Sequence, residues 1–518
     1  MNPRAKKILL LLLVAVLLFA SGRVQHSLNA DRERLGMTYT AVLENAPPML
    51  AFTTVALGGF RGLISNFLWM RANDLQQDDK FFEAAQLASW ITDLEPHFSQ
   101  VWVFQGWNMA YNISVKFKEN GPGDYSDRWR WVSRGIELMR DEGLKYNPND
   151  VLIFRELAWQ FQHKMGANLD DANMFYKMQW ADEMAGFFGE NGTNYQSLIS
   201  ATPGTLDWTN ASVLRGKFKL EPAFIKFVDE KYGPLDWRLP EAHAIYWGAK
   251  GLDQAEKHPE KVKPDDLIQL RRIVYQSIYQ AFKHGRIIYN PFTQRYSLGP
   301  NLELVNRVNE VYEMMAADDE KNRDHIERAQ RNALRDSIYF LYENNRMADA
   351  NKWFKYLGQK FPDKPIVEND PDSLPKNLTL DEYAVAVVQI DIGETSQERV
   401  TSAVQGLIVR AYLALALDDD ARYQNFKNLA TRVHQRYTKS TANSKGDTRI
   451  PLPAINELTK TVVTDLLDPQ HGMPFEARAI LRTKLGLPPE STAPATTNSV
   501  PAVSTNSIPT NAPAPAVP

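Results

Sequence analysis

The sequence predicts an all-α protein, a helical-repeat solenoid with insertions, and three observations carry that expectation. Apolar residues return at three-to-four spacing through most of residues 23–487, the period of helices packed along one face. The alternating pattern of half-buried strands is scarce. A helix-turn-helix unit closed by proline also returns. Its clearest copy runs from Phe81 to Pro96, and Trp102 opens the helix that follows. Such a unit cannot bury its apolar face alone and must stack on neighbours, which yields a groove suited to holding another chain.

The N-terminus begins with a basic segment, Arg4-Ala5-Lys6-Lys7, then an unbroken apolar run from Ile8 to Ala20 and the small residues Ser21-Gly22. As a helix that run covers about 20 Å, short of a hydrocarbon core of about 30 Å. Residues 1–22 are therefore expected to be either a cleaved signal peptide or an uncleaved anchor whose Lys7 and Arg23 reach the headgroups. Either reading places the body in the cell envelope, outside the cytoplasmic membrane, with the basic cluster left behind. A second apolar stretch, Ala46 to Met70, has Arg61 as its only charge. As a membrane-spanning helix it would carry Gly58-Gly59, Gly62 and a central arginine that is costly to insert; the favoured expectation is a break near Gly58-Gly59 and a core helix from Phe60 to Leu75.

Further along, Ile136, Met139, Gly143 and Tyr146 mark one helical face before Asn147-Pro148, and Leu152, Phe154, Leu157, Ala158 and Phe161 mark the next. Asn120-Gly121-Pro122-Gly123-Asp124 is a loop. Pro240 suits the first turn of a helix, and Gly251 is a plausible stop. Helical patterns return over 267–282, 334–342, 348–361, 407–417 and 423–437. Residues 488–518 are rich in Pro, Ala, Thr and Ser. They lack the apolar surface to offset backbone entropy and are expected to be a disordered tail.

Composition narrows the function classes. Apolar residues make up 44% of 518 residues, net charge is −3 and cysteine is absent. Disulfides, thiolate catalysis and cysteine metal sites are excluded, and there is no basic footprint for nucleic acid. The nine histidines show no metal-ligand spacing, and no metal or cofactor is expected. Zinc-helix, phosphate-loop, nucleophile-elbow and dinucleotide-binding motifs are also missing.

The repeat resembles the tetratricopeptide repeat, in degenerate form. Helix A of that family carries a bulky residue and then a small one: here Trp102 with Gly106, and Phe154 with Ala158. Helix B carries small residues and ends at proline: here Ala84 before Pro96, Gly143 before Pro148, and Ala350 with Phe354 before Pro362. The clearest units cover 81–165 and 331–362. The chain also resembles large exported helical-repeat proteins of planctomycete–verrucomicrobia type bacteria, on stretches such as Leu57-Gly58-Gly59-Phe60-Arg61-Gly62-Leu63 and Tyr232 to Pro240; that likeness implies no activity. The repeat family implies a concave face formed by helix A. Its ligand-facing positions fall on Val103, Trp107, Ala110 and Tyr111, then on Arg155, Trp159, Gln162 and His163, then on Arg335, Tyr339, Tyr342 and Glu343. Aromatic and cationic side chains in that mix would suit a protein or peptide partner. The expected role is a non-catalytic protein–protein interaction scaffold of the envelope.

An alternative comes from the tryptophans, eleven of which lie between Trp69 and Trp247. Sugar rings stack on such side chains, so a carbohydrate-binding or carbohydrate-cleaving helical protein is the second expectation. Its polar site would be Asp236, Trp237, Arg238, Glu241 and His243, with a carboxylate as acid or base. The competing reading makes the tryptophans core filler and the 236–243 segment a pinned loop leading into a helix.

Overall fold

A computed structural model describes residues 3–34, 60–189, 193–259, 262–290, 295–367, 370–392, 397–443 and 452–490. The protein is mostly helical, 76% helix and 2% strand, in agreement with the all-α expectation. The chain divides into two compact units, residues 1–108 and 109–518.

In the first unit α1 spans Pro3–Arg34, so the helix continues past Ser21-Gly22. α2 (Phe60–Gln77), α3 (Phe81–Leu94) and α4 (Ser99–Trp107) follow; α2 packs on α3, and α3 on α4. α2 begins at Phe60 as the pattern predicts; the glycine break before it lies outside the described residues. Ala88, Ile91 and Val101 form a dry centre against Leu68, Trp69, Phe98 and Phe104. The α3–α4 corner shows why Pro96 and Trp102 belong together: the indole Nε1 of Trp102 donates to the Pro96 carbonyl at 2.8 Å. α2 is only half a core helix. Ser65, Ala72 and Leu75 are buried, whereas Phe60, Leu63, Phe67 and Met70 are exposed.

The second unit opens with three helical runs. Asn108–Ile113 is a π-helical turn. α5 (Ser126–Glu137) passes into a second, Leu138–Gly143, and α6 (Val151–Trp159) into a third, Gln160–Gly166. Asp150 caps α6 by accepting from the Leu152 amide at 2.9 Å. The faces read from the sequence are the buried ones: Ile136 and Met139 on α5 and its extension, and Phe154, Leu157, Ala158 and Phe161 on α6 and its extension. Leu152 is less buried than its neighbour Ile153.

Then come α7 (Asn173–Met184), α8 (Tyr195–Ile199), α9 (Leu206–Gly216), α10 (Pro222–Tyr232), α11 (Pro240–Lys257) and α12 (Pro264–His284). α11 packs on both α12 and α6. Gly251 is not a stop; α11 runs six residues beyond it, to Lys257. A Cβ at Gly251 would meet Leu270 at 2.9 Å and Phe154 at 3.0 Å, and one at Gly248 would meet Val274 at 2.7 Å. Both glycines therefore allow α11 to approach its neighbours closely. The sequence gives no strand pattern here, yet an antiparallel hairpin, β1 (Arg286–Asn290) with β2 (Arg295–Gly299), follows.

α13 (Val305–Asp318), α14 (Arg323–Glu343) and α15 (Met347–Lys360) continue the succession, each packed on the one before. Leu334 of α14 and Ala350 of α15 are buried. The last helices are α16 (Leu380–Ile392), α17 (Gln397–Ala416), α18 (Asp420–Asn443), α19 (Ile455–Leu466) and α20 (Phe475–Lys484). The expected tail starts later than residue 488 in one respect. Glu490 makes a two-point ion pair, 3.0 Å at each contact, with the buried Arg478 of α20. The rest of the tail, 491–518, lies outside the described residues.

Candidate functional site

The repeat positions do not share one fate. On α4, Trp107 is 37% exposed. In the second unit, side chains from two successive helical runs meet. The hydroxyl of Tyr111 and Nδ1 of His163 share a hydrogen bond of 3.2 Å. The His163 ring stacks on Trp159 at 4.5 Å and 12°. All three rings are partly exposed. Burial, followed by the positive Lys164, pulls the His163 pKa down; burial, followed by Glu156, pushes that of Tyr111 up. Both groups are thus uncharged near neutral pH.

The π turn contributes to this geometry. It places consecutive residues, His163 and Lys164, against the same tyrosine, with Lys164 Nζ 5.3 Å from the Tyr111 ring centroid. Behind the aromatic group lies an ion network. Lys164 donates to Asp170 at 2.5 Å, and Arg128 reaches Asp170 at 3.2 Å and Asp171 at 2.5 Å. Burial opposes the charge of Asp170, but Lys164 and the Ala172 amide outweigh it and hold the carboxyl below the usual range. Arg155, expected to reach a partner, is committed within the protein: it pairs with Glu156 at 2.8 Å and Asp266 at 2.5 Å. Gln162 is likewise buried, donating to the Ile273 carbonyl at 2.9 Å.

The third set is covered in part: Tyr342 and Glu343 are buried, whereas Arg335 and Tyr339 are partly exposed. Tyr342 is 3% exposed and donates to Asp381 of α16 at 2.7 Å. Arg335 lies alongside Asp336. The Tyr339 ring sits 6.0 Å from Phe340. Glu343, buried, pairs with Arg410 of α17. The structure does not bring this third set together with Tyr111, Trp159 and His163.

The 236–243 segment is a pinned loop and a helix start. Asp236 accepts from Arg238 at 2.9 and 2.8 Å, so both its oxygens are engaged. Trp237 is 2% exposed and donates through Nε1 to Asp229 at 3.1 Å; it has no open face for a sugar. His243, fully buried, donates through Nε2 to the Trp237 carbonyl at 2.9 Å. That bond makes Nδ1 the bare nitrogen. The ring is enclosed by Phe161, Trp180 and Trp237 at 5.4, 4.9 and 5.8 Å, and burial pushes its pKa down to about 4. Glu241 is 1% exposed, and neither carboxyl oxygen has a hydrogen-bond partner. Burial, opposed by Lys177, raises its pKa to about 7.

One feature escaped the sequence reading. A cavity of about 330 Å³ opens among α17, α19 and α20, lined by Val409, Leu413, Val462, Met473 and Ala477, with Asp465 and His471 at its polar side. It contains no tryptophan and only one carboxylate, unlike the expected sugar site. Nothing in the local sequence marked it, because its walls come from segments far apart in the chain.

No protein-family model, curated protein or solved structure matches the chain.

Proposed function

We propose that the protein is a non-catalytic, tetratricopeptide-like scaffold of the bacterial cell envelope that binds a protein or peptide partner on its helix-A surface. The observation that carries this reading is the Tyr111–His163–Trp159 group. Three partly exposed rings from two successive runs meet beside the cations Lys164 and Arg128. Rigid rings offer contact area at low entropic cost, and Lys164 and Arg128, paired with Asp170 and Asp171, back them from behind. Arg155, Gln162 and Tyr342 are spent on internal bonds and are not part of the proposed surface. In the same reading α1 tethers the chain to the envelope through its apolar run. Among the described residues no helix is long and apolar enough to cross a membrane.

The test is crosslinking and pull-down from the native membrane fraction, comparing the wild type with Trp159→Ala/His163→Ala after circular dichroism confirms that both fold. A discrete partner lost from the variant supports the scaffold. A partner held equally by both, or no partner, overturns it.

A further inference from the structure

α2 carries two apolar faces, and only one is used. Ser65, Ala72 and Leu75 turn inward against the rest of the first unit, while Phe60, Leu63, Ile64, Phe67 and Met70 remain 69, 65, 38, 65 and 59% exposed. These five positions follow the i, i+3, i+4, i+7 spacing of a single helical stripe, some ten residues long. The stripe ends at Arg71 and Asp74, both exposed. From Asn45 to Asn73 the sequence has no acidic residue and two arginines, Arg61 and Arg71.

We propose that this stripe docks on an anionic lipid surface, with α2 lying in the plane of the membrane interface. Three observations select lipid as the occupant. α2 is not long and apolar enough to cross a bilayer, so an open apolar stripe on it suits an in-plane position. Its charge balance is cationic where the stripe lies, complementing acidic headgroups. The same unit also contains α1, whose described apolar side chains Leu12, Leu13, Val14, Val16, Leu17 and Phe19 are exposed over more than one face of the helix, a wider apolar surface than a single protein-facing stripe. One short hydrophobic element binds membranes marginally, and a second makes the attachment stable.

The proposal rests on the membrane tether of the reading above, not on its partner. The cysteine-free sequence allows a single nitroxide label at Phe19→Cys, Phe67→Cys or Glu83→Cys in the full chain, with vesicles of equal parts phosphatidylglycerol and phosphatidylcholine. Power saturation then reports contact with lipid-soluble oxygen against a water-soluble nickel chelate. The expected result is a several-fold rise in the oxygen-to-nickel ratio at positions 19 and 67 on adding vesicles, with position 83 unchanged. A rise at 19 with 67 still in water overturns the docking of α2 and leaves the tether standing. No rise at either position removes the tether as well. A label at 67 shielded from both reagents before vesicles are added shows that protein covers the stripe, and overturns the proposal.

Discussion

The regions around Trp159 and around Tyr342 occupy equivalent places in the repeat pattern expected from the sequence, yet their side chains differ in part in what covers them. Beside Trp159 the rings of Tyr111 and His163 stay partly open, backed by the buried Lys164–Asp170 pair. Around Tyr342, α16 supplies Asp381 and α17 supplies Arg410, so Glu343, in the register place of His163, is buried, whereas Tyr339, in that of Trp159, stays partly exposed and Tyr342, like Gln162, is interior. Helical spacing thus decides which side chains share a helix face. What packs next decides whether that face meets a partner or the protein's own chain.

The largest expected effect tests the backing of the open region. Asp170→Ala strands Lys164, whose side chain is 4% exposed, and breaking a buried pair in this way costs about 3–5 kcal/mol. Asp381→Ala, whose Arg432 contact is 39% and 46% exposed on its two sides, is expected to cost about 1 kcal/mol, for the lost Tyr342 bond. Urea unfolding of both variants checks the contrast, and equal losses would break it.

Next in size is Gly248→Ala. Its Cβ would fall 2.7 Å from Val274, so overpacking of the α11–α12 contact is expected to cost about 1–3 kcal/mol. A neutral result in thermal or urea unfolding would show that α11 is free to shift, weakening its role as the fixed wall beside α6.

Tyr342→Phe sharpens the functional side of the comparison. It is expected to lower stability by about 1 kcal/mol and to leave partner capture unchanged, whereas Trp159→Ala should reduce capture. Loss of capture in Tyr342→Phe, measured by the same pull-down, would put the covered region back in the binding surface.

The smallest expected effect is the combined pH response of Glu241 and His243. Folding raises Glu241 from 4.5 to about 7, so the folded chain keeps a proton that the unfolded chain releases, and stability falls as pH rises through that window. Folding lowers His243 from 6.5 to about 4, so the unfolded chain takes the extra proton, and stability falls as pH drops through that window. Where the windows overlap the two slopes oppose. Glu241→Gln should leave the His243 slope alone, so that stability rises more steeply with pH between 4 and 6.5 than in the wild type. His243→Gln should leave the opposite slope. Identical wild-type and Glu241→Gln profiles in urea unfolding would show that Glu241 does not titrate in this range.

Much of the fold was legible because helices write their period into the chain. Phe154, Leu157, Ala158 and Phe161 were readable as one buried face, and Pro96 with Trp102 as one corner, since both follow from local spacing. Of the candidate site, the meeting of Tyr111 with Trp159 and His163 was readable only as shared register. The π turn that brings His163 and Lys164 to one ring leaves no periodic signal, and the ion network behind it depends on Arg128 and Asp170, which are far apart in the sequence.

By itself the sequence determined the helical class, the starts of α2, α11 and α15, and the small residues at the helix contacts. These depend on backbone geometry and on neighbours within a few turns. Only the tertiary structure decided that Gly251 is a point of close approach and not an end, that Arg155 and Tyr342 are used internally, and that the stripe from Phe60 to Met70 stays open. Each of those outcomes depends on which distant segment packs against the residue, and the free energy of burial is fixed by that neighbour, not by the residue alone.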